Sequence, residues 1–118
     1  MPPRTRQPDD TKSRTATIDP TVLFAAFSNE RRQDALEYLA GKPAAIPIGD
    51  LAEYIVLVEG RSSYEWYERV LTDLAHNHLP QLTDAGLVAF DPGTELVELA
   101  VERRVIEPYL RLAQTDDR

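Results

Sequence analysis

Residues 62–99 decide the fold of this chain: SSYEWYERVLTDLAHNHLPQLTDAGLVAFDPGTELVEL. The first half of this stretch carries apolar side chains at steps of three and four residues, the spacing of one buried helix face. The second half carries two strand-like runs, residues 87–90 and 96–99, separated by the turn-rich residues 91–95. The stretch therefore predicts a helix followed by a β-hairpin with a short loop.

The predicted helix has an inner and an outer face. Ser62 and Glu65 have the spacing of a capping box that would start it, and Pro80 limits how far it can run undisturbed. Its inner face consists of Tyr67, Val70, Leu71, Leu74 and His78. By the same spacing, its outer face consists of Trp66, Arg69, Thr72, Asp73, His76 and Asn77.

Three helices are predicted before this stretch and one after it. Ile46 and Ile48 can form one very short strand between the second helix and the third. The predicted N-caps of the first three helices are Asp19 (followed by Pro20), Ser28 or Asn29, and Asp50, and Gly41 and Gly60 end the second and third. Gly86 closes the helical region, and the last helix carries an apolar stripe that Pro108 interrupts.

This order predicts a mainly α fold with a small β-hairpin, in the α+β class. Its simplest architecture is a helix-turn-helix followed by a two-stranded wing. The predicted organisation is a disordered tail over 1–17, a winged helix-turn-helix domain over 18–100, a C-terminal helix over 101–114 and a tail over 115–118. Residues 1–17 are assigned as a tail because they hold too little apolar surface to offset their ordering entropy.

The charge of the chain is acidic, but it is unevenly distributed. The 118 residues include 13 Lys or Arg and 20 Asp or Glu, for a formal charge of -7. Four basic and two acidic residues give the tail +2, which leaves the body at -9. Acid in excess with only two lysines, Lys12 and Lys42, is expected of a protein kept soluble in concentrated salt; a GC-rich genome explains the arginines equally well. On charge alone, such a protein should repel nucleic acid.

Composition excludes several classes of function. The chain has no Cys, so disulfides, thiolate metal sites and a cysteine nucleophile are all excluded. It has no apolar run long enough for a membrane span and no signal-peptide pattern, so a cytoplasmic protein without membrane contact is expected. No nucleophile elbow or glycine-rich phosphate loop is present, so we expect neither an enzyme nor a cofactor.

A metal site is not predicted either. His76 and His78 form a His-x-His pair, but on a helix these two residues lie about 200° apart and cannot easily chelate one ion. No third ligand is placed by the sequence. We expect His78 to be a packed or capping histidine.

Two segments resemble one known family. Residues 23–32, LFAAFSNERR, resemble the entry segment of arsenical-resistance-repressor-like (ArsR-like) winged-helix regulators, and residues 78–88, HLPQLTDAGLV, resemble the stretch that leads from their recognition helix into the wing. The match is closest to a haloarchaeal branch of unassigned function. It covers about residues 21–100.

The resemblance implies a DNA-binding transcriptional regulator that is a homodimer. Double-stranded DNA would be contacted by the outer face of the fourth helix, through Trp66, Arg69, Thr72, His76 and Asn77. Of these, Arg69 and Asn77 are the best candidates for base contacts, because Arg pairs with guanine and Asn with adenine. The last helix would form the dimer interface through Val101, Val105, Tyr109 and Leu112.

Other features favour a different function. Glu65, Glu68 and Asp73 place three carboxylates on the fourth helix against one arginine, and the wing tip offers Asp91 and Glu95 where a DNA-binding wing has basic residues. Concentrated salt would weaken this objection to DNA binding. In molar salt the Debye length is about 3 Å, so distant carboxylates repel phosphate only weakly. The alternative is a winged-helix protein-protein interaction module that does not bind DNA.

Three further sets of side chains have more than one interpretation. Trp66, with Tyr64 and Tyr67, either forms an exposed aromatic patch or belongs partly to the core. The basic pairs Arg31-Arg32 and Arg103-Arg104 either contact phosphate or form ion pairs within their helices, and Glu107 is within reach of Arg104.

Overall fold

The computed structural model describes residues 18–116, with side chains to residue 113. The helices are α1 (Pro20–Ala26), α2 (Glu30–Ala40), α3 (Ile48–Glu59), α4 (Tyr64–Asp73), α5 (Leu79–Asp84) and α6 (Arg103–Asp116). The strands are β1 (Ile46–Pro47), β2 (Val88–Asp91) and β3 (Leu96–Leu99). A π-helical turn, Leu74–His78, joins α4 to α5. The tail predicted for residues 1–17 lies outside the described residues.

The fold is mainly α with a small antiparallel sheet, as predicted, and it is a winged helix-turn-helix. Helices α3 and α4 form the helix-turn-helix, and the β2–β3 hairpin follows as the wing. The short strand predicted near Ile46 is β1, which pairs with β3, so the sheet has three strands in the order β1-β3-β2. In the hairpin, Val88 lies opposite Leu99 and Asp91 lies opposite Leu96.

The first two helices begin as predicted. The Asp19 side chain accepts a hydrogen bond from the Thr21 amide at 2.8 Å, with Pro20 at the first helical position. The Asn29 side chain caps α2 by accepting from the Arg32 amide at 3.1 Å. Each side chain thus satisfies a backbone donor that the helix leaves unpaired.

The predicted start of α3 is wrong by three residues and that of α4 by one. Helix α3 begins at Ile48 after Pro47, so Asp50 lies in its first turn and does not cap it. The reason is tertiary: the Ile48 amide donates to the Glu95 carbonyl of the hairpin at 2.9 Å, and the helix starts where this strand contact ends. Helix α4 is capped by Ser63, whose hydroxyl accepts from the Trp66 amide at 3.0 Å, so Ser62 and Glu65 form no capping box.

The turn between α3 and α4 depends on one glycine. Gly60 has a φ of 74°, a left-handed conformation that glycine adopts without steric cost. Its amide donates to the carbonyls of Val56 and Leu57, which ends α3. Four residues, 60–63, therefore suffice to reverse the chain into α4.

The helix continues beyond Pro80, because the π-helical turn accommodates this proline. Proline has no amide hydrogen, and its ring clashes with the carbonyl four residues earlier. The turn before it is widened, so that the Leu79 amide donates to the Leu74 carbonyl five residues earlier. The helical path consequently runs from Tyr64 to Asp84 with one disturbance in the middle.

One hydrophobic core lies between the helices and the inner face of the sheet. Helix α4 and the π-helical turn contribute Val70, Leu74 and His78, which confirms the inner face predicted from their spacing. The core side chains with no exposed surface include Leu36, Leu51, Ile55, Val70, Leu74, Leu82, Leu87, Val97 and Ile106. Each large apolar side chain contributes on the order of 1.5–3 kcal/mol by its burial.

The last helix is shifted by two residues from its predicted range. It starts at Arg103 and continues to Asp116, so Val101 precedes it and residues 115 and 116, predicted as tail, belong to it. Ile106 is its fully buried residue. Its Tyr109 ring stacks on Phe27 at 5.7 Å between centroids and meets Phe24 edge-on at 5.4 Å, which fixes α6 against α1.

Candidate nucleic-acid interface

The outer face of α4 is exposed and forms a shallow groove. Three of the five residues predicted to contact DNA lie along it: Arg69, Thr72 and His76. All three are exposed. The other residues that line the groove are the carboxylates Glu65, Glu68 and Asp73. The guanidinium of Arg69 is 3.9 Å from the Glu65 carboxylate, a loose, solvated pair that leaves its other donors available.

Asn77 is exposed but does not line this groove. Its amide nitrogen donates to Asp73 Oδ1 at 3.2 Å, and its carbonyl oxygen accepts from Gln81 Nε2 at 3.0 Å. Both sides of the amide that would recognise adenine are therefore hydrogen-bonded within the helix. Asn77 is also eight residues beyond Arg69, about 12 Å along the axis.

Trp66 is half-buried, and its contacts explain why. The indole Nε1 donates to Glu59 Oε1 at 3.0 Å. The guanidinium of Arg61 lies over the ring at 3.8 Å from its centroid, and those of Arg69 and Arg31 lie 5.9 Å and 6.0 Å away. Trp66 is a platform for arginines, which places it between the two interpretations of core residue and exposed patch.

A part-buried network of charges lies behind this face. Arg31 on α2 binds Glu59 on α3 with both ends of its guanidinium, Nε to Oε2 at 2.8 Å and Nη2 to Oε1 at 2.7 Å. Its remaining nitrogen, Nη1, donates to Asp73 Oδ2 at 2.7 Å. This bidentate geometry is the strong form of a charge-assisted pair. Helices α2, α3 and α4 are thereby connected through one arginine.

His78 extends the network into the core. Only 4% of its surface is exposed, and its Nε2 lies 2.7 Å from Asp73 Oδ2. Its Nδ1 lies 3.3 Å from Nη1 of Arg32. Because arginine has no acceptor, Nδ1 accepts this hydrogen bond, and the ring proton is on Nε2, where it is donated to Asp73. Arg32 also donates to the carbonyls of Ala25 and Ala26 at the end of α1.

The pKa values of these groups reflect the network. The hydrogen bond from Arg31 holds the pKa of Glu59 below its usual value and in turn raises the pKa of Arg31. Burial opposes charge on Asp73, but the hydrogen bonds from Arg31 and Asn77 outweigh it and lower its pKa. Burial lowers the pKa of His78 despite the attraction of Asp73. The network therefore holds two carboxylates, two guanidiniums and a neutral imidazole, with no net charge.

This arrangement changes the charge count of the outer face. Asp73 is directed towards Arg31 and His78, so its charge is compensated inside the protein. Of the three carboxylates that the sequence sets against Arg69, only Glu65 and Glu68 are uncompensated in this way. The prediction that the Arg31-Arg32 pair forms intrahelical ion pairs is wrong, because both guanidiniums contact other helices or the end of α1.

The opposite flank of α4 is apolar and acidic. Leu57 and Tyr64 are 71% and 76% exposed. They line a groove with Glu53 and Tyr67 beside the α3–α4 turn. One flank of α4 thus carries arginines together with carboxylates, and the other carries tyrosines and Leu57 with one carboxylate, Glu53.

The four residues predicted for a dimer interface do not form one continuous stripe. Val101, Val105 and Tyr109 are partly buried and pack against the core of their own chain. Leu112 is 54% exposed and borders a hollow with Phe24, which is 58% exposed, and Tyr109. Intramolecular packing and dimer packing produce the same three- and four-residue spacing, so the sequence could not separate them.

The wing tip carries its two acidic residues in structural positions. Asp91 Oδ1 accepts from the Gly93 amide at 2.9 Å, which tightens the loop. Glu95 has a φ of 62°, an unusual value for a residue other than glycine.

In α6, Arg103 and not Arg104 pairs with Glu107, at 3.0 Å, while Arg104 pairs with Glu102.

Sequence reasoning missed Arg61 and Glu59 as parts of this site. Arg61 lies in the turn that ends α3, and no helix spacing relates it to Trp66. Glu59 and Arg31 are 28 residues apart in the chain, and Arg31 and Asp73 are 42 apart. The only signal in the sequence was the unexplained pair Arg31-Arg32 on a helix with an otherwise apolar inner face.

Within residues 18–116, no helix is both long and apolar enough to cross a membrane. The same residues contain no group of three or more His, Cys, Asp or Glu side chains arranged to hold a metal ion.

The fold and the exposed second helix of its helix-turn-helix define a winged helix-turn-helix protein. Residues 24–98 match the family described as a domain of unknown function, DUF7344, and the chain belongs to that family. The match covers the region from α1 to β3, which includes the charge network and both flanks of α4. Comparison with curated proteins finds no match, and comparison with solved structures finds none either.

Proposed function

We propose that this protein is a homodimeric, cytoplasmic transcriptional regulator that binds double-stranded DNA through α4. The observation that carries the proposal is the groove along α4: Arg69 and Thr72 are exposed on the second helix of a helix-turn-helix, together with His76 in the π-helical turn that continues it. In this architecture the second helix enters the major groove. The resemblance of residues 23–32 and 78–88 to ArsR-like regulators supports the same function.

The part-buried network removes one objection to this function. Arg31 compensates the charge of Asp73, so the side of α4 that carries Arg69 has less net negative charge than a count of its carboxylates in the sequence indicates. Arg61 and Arg69 lie on the same flank, over and beside the Trp66 ring. The flank that carries Arg61 and Arg69 therefore offers cationic groups to DNA, next to the carboxylates Glu65 and Glu68 that line the same groove. Glu53 lies on the other flank.

The wing has a smaller role in this proposal. The described loop and strands of the hairpin, residues 88–99, carry only acidic charged side chains. A hairpin of this charge is expected to leave the phosphates to α4 and to contribute shape.

Dimerisation is proposed through α1 and α6. A second copy of the chain would pack on the apolar surface formed by the exposed ring of Phe24 and the exposed side chain of Leu112, which border one hollow with Tyr109. A two-fold dimer would present two copies of α4 to successive turns of DNA.

A second function is favoured by the other flank of α4. Leu57 and Tyr64 expose large apolar surfaces next to carboxylates, as expected where a protein partner with apolar and basic side chains binds. On this alternative, the protein keeps the winged-helix fold as an interaction module and does not bind DNA.

Selection from fragmented genomic DNA distinguishes the two functions. The purified full chain would be incubated with the fragments in molar KCl, and retained fragments would be sequenced and then tested one by one against random competitor. Enrichment of a common sequence motif supports the regulator. Retention without enrichment, or no retention, would overturn it in favour of the interaction module.

A further inference from the structure

The guanidinium of Arg61 lies on the ring of Trp66. Its guanidinium carbon lies 3.8 Å from the centroid of the indole ring, close enough for a stacked cation–π contact. Arg61 is exposed. A stacked guanidinium covers the ring with its flat face and keeps its N–H groups around its edge, where they can meet an acceptor.

Trp66 is itself fixed by a chain of hydrogen bonds. Its Nε1 donates to Glu59 Oε1 at 3.0 Å, and Glu59 is bound by both ends of Arg31. Arg31 then connects α2 to Asp73 at the end of α4. The ring cannot turn without breaking a bond that three helices support, so it offers the Arg61 guanidinium a favoured position before any ligand arrives.

The charge of Arg61 has no partner within the described chain. No carboxylate of residues 18–113 forms an ion pair with it, whereas Arg31 is bound to two and Arg69 lies 3.9 Å from Glu65. A cation that is preorganised, exposed and unpaired suits a single anionic group. At the start of the second helix of a helix-turn-helix, the anionic group available is a backbone phosphate of DNA.

We propose that Arg61 contacts a DNA backbone phosphate and that Trp66 and Glu59 are positioning residues for this contact. The inference rests on the proposed function. It divides the arginine flank into two roles: Arg61 binds the backbone regardless of sequence, and Arg69 contacts bases. Preorganisation on the indole reduces the side-chain entropy that binding would otherwise cost.

The salt dependence of binding tests the role of Arg61. Affinities of the full chain and of Arg61→Ala would be measured by fluorescence anisotropy over a KCl series, on a selected fragment and on a random one. We expect Arg61→Ala to weaken both by the same factor, roughly tenfold for one charged contact. The slope of log K against log[KCl] should fall by about 0.9, the value for one phosphate. Arg61→Lys, which keeps the charge without the planar stack, should restore the slope.

A double-mutant cycle tests the positioning role. Trp66→Phe removes the donor to Glu59, and we expect it to weaken binding in the parent protein but not in the Arg61→Ala background. Equal losses in both backgrounds would overturn the positioning role of Trp66, since a structural effect on the fold does not depend on Arg61. Circular dichroism and thermal unfolding of each variant confirm that the fold is intact.

The outcomes separate this inference from the proposed function. Selective binding by the parent protein with an unchanged salt slope in Arg61→Ala would overturn the phosphate contact and leave the regulator standing. Absence of selective binding by the parent protein would overturn both.

Discussion

The Nε2 atom of His78 lies 2.7 Å from Oδ2 of Asp73, five residues earlier in the same helical path. In a regular α-helix, residues five apart are separated by about 140° around the axis and do not meet. The π-helical turn, Leu74–His78, removes most of this separation. The disturbance that Pro80 requires therefore also brings a buried imidazole to the carboxylate that binds Arg31.

We expect His78 to make the stability of the protein sensitive to pH. Burial lowers the pKa of His78 below its ordinary value of 6.5, so the unfolded chain binds a proton before the folded one does. The free energy of unfolding should be highest above pH 6.5 and should decrease as the pH falls below it, by at most about 1.4 kcal/mol per pH unit for one group. Protonation would also place an N–H of His78 against Arg32, which cannot accept a hydrogen bond. Urea unfolding at a series of pH values measures this decrease.

His78→Gln is the informative variant for that measurement. Glutamine can donate to Asp73 and accept from Arg32, but it does not titrate. The decrease between pH 6.5 and the range where carboxylates titrate should be reduced in this variant and kept in the exposed control His76→Gln. A parent protein and a His78→Gln variant with the same pH profile would contradict the assignment.

The Asp73 carboxylate should contribute to the free energy of unfolding, although the sequence places Asp73 on the outer face of α4. Asp73→Asn keeps the size of the side chain but leaves Arg31 without one of its two anionic partners. We expect a loss of about 1–3 kcal/mol in the free energy of unfolding, the cost of weakening a part-buried charged hydrogen bond. Urea denaturation measures it. Glu68→Gln, on the same helix but outside the network, is the control and should change stability little; equal effects for the two variants would argue against the network.

Arg69 should determine sequence preference. Arg69→Ala is expected to lower the affinity for a selected DNA fragment roughly five- to a hundredfold in molar KCl, since one bidentate base contact is worth about 1–3 kcal/mol. Affinity for random DNA should change much less. Parallel titrations of both fragments measure this difference. If selected and random DNA lose affinity equally, Arg69 binds the backbone and the base contact lies elsewhere on α4.

The α1–α6 surface should hold the dimer together. Leu112→Glu places a charge on the apolar patch beside Phe24, and a buried unpaired carboxylate should raise the dimer dissociation constant more than about tenfold. Sedimentation velocity in high salt measures the oligomeric state. Leu57→Glu introduces the same charge at an exposed leucine of α3, outside the α1–α6 surface, and should leave the dimer intact. A monomeric parent protein would refute this interface.

The wing tip offers a test of backbone strain. Glu95 adopts a φ of 62°, which glycine tolerates and glutamate does not favour. Glu95→Gly should raise the free energy of unfolding by up to about 1 kcal/mol, because relief of strain exceeds the extra freedom of the unfolded chain. Glu95→Gln removes the same charge without changing the strain. Thermal unfolding of both variants separates the two effects, and equal shifts would assign the change to charge.

The sequence predicted the elements well and the contacts between them poorly. The inner face with Val70, Leu74 and His78 followed from spacing, and the hairpin followed from two apolar runs around residues 91–95. Local signals failed where a distant partner sets the boundary: Ile48 starts α3 because its amide bonds to Glu95, far along the chain. Arg61 and Glu59 could not be predicted as site residues because their roles depend on the angle at which α3 and α4 cross.

What the sequence determined by itself was the order of elements, the inner face of α4 and the absence of cysteine chemistry. These depend on hydrophobic periodicity and composition, which are local properties of the chain. Only the tertiary structure decided which charges are exposed on the outer face of α4. It directs Asp73 inward to Arg31, places Arg61 on Trp66 and leaves Glu68 outside the charge network. Ion pairs form between side chains that packing brings within about 4 Å, whatever their separation in sequence. The formal charge of -7 could not distinguish these cases.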